Sequence, residues 1–76
     1  MSGLHNLKRD KVVRTFQRLG WEIAREGANH TIMMNPQKPG ITFPIPRHKV
    51  IASGTIRSML KQAGITLSEF LEAYND

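Results

Sequence analysis

Gly27-Ala28-Asn29-His30-Thr31-Ile32-Met33-Met34 joins a glycine-led turn to an apolar run of strand-forming character. In this reading Gly27 supplies the turn, because glycine reaches positive φ at little steric cost. Asn29 tolerates the same geometry and offers a polar group to the neighbouring backbone. His30 then stands at the mouth of a strand, where a sheet holds the ring and solvent still reaches it. Imidazole, with an unperturbed pKa near ~6.5, is the side chain best suited to proton transfer at neutral pH. Arg25 on one side and Lys38, Arg47 and Lys49 on the other surround it with positive charge. The pattern presents a histidine to a polyanion.

Working outward, Trp21-Glu22-Ile23-Ala24-Arg25 alternates and predicts a half-buried strand. The short turn after it makes the two strands antiparallel neighbours. Parity in the second strand is open: His30, Ile32 and Met34 share one face and Met33 the other, and either set suits the core. Asn35 to Gly40 is a loop rich in turn formers. Ile41, Phe43 and Ile45 then alternate with Thr42, Pro44 and Pro46, a third strand whose prolines place it at a sheet edge.

Before these strands, Val12, Val13, Phe16 and Leu19 recur at helical spacing and Gly20 stops the helix. After them, Arg47-His48-Lys49 is a basic connector. Ser53 is the expected N-cap of a second helix with an Ile56, Met59, Leu60, Ala63 stripe and Gly64 as its stop. Thr66-Leu67-Ser68-Glu69 matches a capping box and starts a last short helix through Tyr74. The order is α-β-β-β-α plus a short C-terminal helix, an α+β class. One domain spans residues 1–76, with 1–8 as a loose lead-in.

Seventy-six residues, 39% of them hydrophobic, allow one small core. A chain this short buries only about 60% of the surface its unfolded form exposes. There is no cysteine, so no disulfide framework or thiolate metal site enters. No apolar run approaches the ~20 residues of a membrane span, and Met1 to Asp10 lacks the apolar stretch expected of a secretory signal. A cytoplasmic location is expected. Eleven Lys and Arg against six Asp and Glu give +5. That charge suits nucleic acid, most simply RNA, although a solvated basic surface would account for it equally well.

Several stretches carry a resemblance: Leu19-Gly20-Trp21, Asn29-His30, Pro46-Arg47-His48, and Gly54 through Ile65, followed by Ser68-Glu69-Phe70-Leu71. In this order and spacing the chain resembles the HicA (YcfA-like) toxins of bacterial toxin–antitoxin pairs, from Asp10 to Tyr74. The resemblance implies a double-stranded-RNA-binding-domain-like fold, with helices on one face of a three-stranded antiparallel sheet. It also implies an mRNA-cleaving endoribonuclease neutralised by a HicB-like antitoxin, monomeric alone and hetero-oligomeric with that partner. The family's catalytic histidine maps onto His30. Ala28-Asn29-His30 stands where Gly-Ser-His is commonest, and Gly27 lies one residue earlier.

On that footing His30 is the candidate general base and His48 a candidate acid or phosphate contact. Asn29, Arg47, Lys49, Arg57 and Lys61 are candidates for holding RNA, through arginine forks and lysine point charges. No cofactor is expected, and the histidine spacing fits no metal-ligand pattern. Two other readings stay open: a non-catalytic RNA-binding module of the same fold, and a degenerate toxin acting only as a protein-interaction domain.

Overall fold

Val12, Val13, Thr15 and Phe16 form the buried side of a ten-residue helix, α1 (Arg9–Arg18), in the computed structural model, which describes residues 5–75. Gly20 ends it at φ +98°, a left-handed conformation that a side chain would strain. The chain then turns so that Trp21 enters the core and its amide reaches back to the Phe16 carbonyl at 3.0 Å. Three strands follow: β2 (Glu22–Glu26), β3 (His30–Met34) and β4 (Thr42–Pro46). They pair antiparallel in the order β2-β3-β4, as the turn-rich connections require.

The register decides the parity that alternation left open. Thr31 faces Ile45 and Met33 faces Phe43, and all four are buried. The apolar face of β4 lies on Phe43 and Ile45, so β3 must turn Thr31 and Met33 inward to share it. His30, Ile32 and Met34 go to the opposite face. Pro44 and Pro46 sit on β4, an outer strand, where their missing N–H costs no ladder bond.

β2 departs from its expected half-burial: all five of its residues are exposed. α2 (Ser53–Ala63) packs on β4, and α1 packs on α3 (Leu67–Tyr74), so the helical layer does not cover the β2 edge. Trp21, just before the strand, is the residue that anchors this part of the chain.

The lead-in is not loose throughout. Leu7 and Lys8 form a two-residue strand, β1, paired antiparallel with β5 (Val50–Ile51). Residues 1–4 lie outside the described part. Pairs this short are set by what the strands pack against, so local sequence did not announce them. α2 also starts differently from expectation. Its N-cap is Ala52, and the Ser53 amide donates to the Asn6 Oδ1 at 3.2 Å, so the lead-in supplies the cap.

Ile56, Met59, Leu60 and Ala63 bury the expected stripe of α2, which ends at left-handed Gly64. The capping box of α3 is complete: the Glu69 amide donates to Thr66 Oγ1, and the Thr66 amide to Glu69 Oε1. The Thr66 amide, and then the Thr66 hydroxyl at 3.1 Å, donate to the Glu69 carboxylate and hold it below its ordinary range. Because its folded-state pKa is depressed, its contribution is present above the unfolded value and is lost as pH falls through the folded one. Thr66→Ala is expected to cost about 1 kcal/mol, read as a lowered urea midpoint at neutral pH. The difference from wild type should shrink in acid, as Glu69 protonates.

Candidate functional site

The β2–β3 hairpin is closed by the Gly27 amide, which donates to the His30 carbonyl at 2.8 Å. Gly27 does this without positive φ; among the described residues only Gly20, Gly40 and Gly64 adopt it, and Asn29 does not. Its glycine helps in a different way. A Cβ at position 27 would lie 3.1 Å from the His30 carbonyl oxygen, a tight contact that glycine avoids where the two strands close.

His30 opens β3 on the sheet face turned away from the helices, opposite Pro46 of β4. It is exposed and lines a shallow depression of about 240 Å³ with Arg25, Asn29 and Ile32. Arg25 arrives there through a bulge. The register steps from Ile23 opposite Met33 to Arg25 opposite Ile32, with Ala24 as the extra residue. Regular pairing would have placed Arg25 opposite Thr31, on the helix side. The bulge thus sends a guanidinium to the histidine face. The alternation of residues 21–25 concealed it, because a bulge depends on the partner strand.

The same bulge turns Glu26 inward, where it joins a polar network beneath the turn. Thr31, fully buried, donates its hydroxyl to Glu26 Oε1 at 2.6 Å and accepts from Arg9 Nη2. Arg47 pairs with Glu26, donates from Nε to the Gly27 carbonyl at 2.7 Å, and donates its amide to the Asn29 carbonyl at 3.1 Å. Arg47 therefore clamps the turn that presents His30. Arg47→Ala is expected to speed amide exchange at Gly27 about fivefold, a local opening cost near ~1 kcal/mol. The global unfolding midpoint should barely move.

The other sequence candidates separate. Asn29 stays beside His30, and Lys49 joins Arg47 along a larger cleft of about 800 Å³. His48 is exposed on the connector, two residues beyond the Pro46 that faces His30, and lines neither cavity. Arg57 and Lys61 are exposed on α2, away from both. The cleft adds Lys8, Arg9, Lys11 and Arg14, which the sequence reading had not assigned. Their signal was present, since Lys11 and Arg14 are three apart on one helix. Among the described residues, no three His, Asp or Glu side chains converge as metal ligands. No described helix is long and apolar enough to cross a membrane.

A family model described as the HicA toxin of bacterial toxin–antitoxin systems matches residues 9–65, three quarters of the chain. The chain belongs to the HicA toxin family. The match runs from the first residue of α1 to the residue after the Gly64 stop, so it takes in the hairpin, Arg9, Arg47 and α2. Neither curated proteins nor solved structures gave a match. As a HicA-family chain, this is a toxin of a toxin–antitoxin system.

Proposed function

We propose that this HicA-family toxin is an endoribonuclease that cleaves mRNA through His30, by acid–base chemistry without a metal, and is neutralised by a HicB-like antitoxin. The observation that carries the reading is the pairing of exposed His30 with Arg25 on one open sheet face, held by the Arg47 clamp. In the proposed reaction neutral His30 takes the proton from an RNA 2′-hydroxyl. The oxygen attacks the adjacent phosphorus, and the bond to the 5′-oxygen breaks. A donor, for which His48 is the candidate, protonates that oxygen. The products are a 2′,3′-cyclic phosphate and a 5′-hydroxyl.

Arg25, visible in the sequence as a nearby charge, gives this reaction a fork for the phosphate oxygens beside the base. Hydrogen bonds to charged groups contribute about 1.5–3 kcal/mol. Arg25→Gln is therefore expected to slow cleavage about 10- to 100-fold, read as kcat/KM on a short RNA, with folding unchanged because the side chain is exposed. Action on mRNA places the protein in the cytoplasm. The antitoxin is proposed to cover His30 and the basic rim, and a purified complex cleaving at the free toxin's rate would contradict that.

The direct test is cleavage of a defined mRNA by purified protein in EDTA. Cyclic-phosphate ends are expected, and a 2′-deoxy substitution at the cut site should block the cut. Salt-sensitive binding without cleavage would instead identify a non-catalytic RNA-binding module.

A further inference from the structure

The cleft between the start of α1 and the β4–β5 connector is lined by Lys8, Arg9, Lys11, Arg14, Arg47 and Lys49, with Asp10 as its one carboxylate. Asp10 lies 3.9 Å from Arg9 and its side chain is 91% exposed, so it offsets little of that charge. Arg9 and Arg47 are tied into the network under His30, and Lys11 Nζ sits 4.3 Å over the Tyr74 ring. Lys8, Arg14 and Lys49 make no side-chain hydrogen bond or ion pair with the described residues. The first turn of α1 adds its own positive end, with no side-chain cap on it. Arg47 is paired with Glu26, and gathering five further cations here accepts mutual repulsion that a polyanion would relieve.

We propose that this cleft is a second RNA subsite, which holds the sugar–phosphate backbone of the strand being cut, independently of base sequence. The proposal rests on the RNA-cleaving reading and extends it from one face of the sheet to the other. Arg9 Nε donates to the Pro46 carbonyl at 3.1 Å, and Pro46 is the residue opposite His30. Arg47 lines the cleft and reaches the Gly27 carbonyl on the turn. A strand in the cleft thus passes round the Pro46–Arg47 corner to His30. The cleft has no aromatic platform for stacking bases, so it reads backbone alone. The same lack argues against a protein occupant, since Val50 is the one large apolar side chain available as an anchor.

The test uses the full chain with His30→Ala, so that RNA survives, and a labelled single-stranded RNA titrated across a salt series. Arg14→Gln with Lys49→Gln is compared with Arg57→Gln with Lys61→Gln on α2. Each pair removes two charges from exposed positions. The cleft pair is expected to weaken binding at least about tenfold and to lower the slope of log K against log salt by about 1.4. The α2 pair should weaken it less than about threefold. Equal losses would overturn the cleft and leave the RNA reading standing. Wild-type cleavage without salt-sensitive binding by the parent would also overturn the cleft alone; absence of both cleavage and binding would overturn the RNA reading with it. Unchanged RNA affinity in the cleft pair, with lost binding to an acidic peptide, would assign the cleft to a protein partner.

Discussion

His30→Ala is expected to reduce RNA cleavage by about 10²- to 10⁴-fold, the range that a positioned general base contributes. The fold should survive, because His30 is exposed and its side chain belongs neither to the core nor to the network under the turn. Its backbone carbonyl, which accepts from the Gly27 amide, is kept in the variant. The unfolding free energy from urea titration should therefore change by no more than about 0.5 kcal/mol. His48→Ala should slow the reaction by a smaller factor if His48 donates the proton, because water can replace an exposed donor. Equal cleavage by wild type and His30→Ala would instead mean a contaminating nuclease or another catalytic residue. A folded variant that binds RNA but does not cut it would place His30 in the chemistry and outside the binding step.

Readability of the sequence followed the range of the physics. The α2 stripe, the Gly64 stop and the Thr66–Glu69 box are set by residues within one or two turns, and each stands where its pattern put it. The face of β4 was legible at Phe43 and Ile45, whereas Ile41, expected with them, precedes the strand and is 40% exposed. The face of β3 was not, because Met33 and Met34 are equally apolar and only pairing with β4 chooses between them. Arg25 was visible as a charge near His30, but its face depends on the bulge at Ala24, a property of two strands together. The cleft joins Lys8–Arg14 to Arg47–Lys49 across more than thirty residues, and no local pattern links them. His30 itself came from family resemblance and turn chemistry; the Arg47 clamp that holds its turn came from tertiary structure.

Phe16→Ala is expected to be strongly destabilising, and it separates loss of fold from loss of chemistry. Phe16 is fully buried, with its ring centroid 4.8 Å from that of Phe43 and 5.2 Å from that of Phe70; Trp21 meets Phe43 at 4.9 Å. One side chain thus fastens α1 to β4 and to α3. Truncating a buried phenylalanine costs about 3–5 kcal/mol. Domains have about 5–15 kcal/mol in total, and one of this length belongs at the lower end. The variant should be partly unfolded at 37 °C, with its urea midpoint at or near zero denaturant, whereas Phe16→Leu should keep a measurable transition. Because α1 carries Arg9 and Arg14, weakening its seat on β4 also loosens the cleft relative to His30. Cleavage by Phe16→Ala should track the folded fraction and rise on cooling toward 15 °C, while His30→Ala stays inactive at every temperature. A cost below about 1 kcal/mol would mean that α1 is not seated on β4 through this ring.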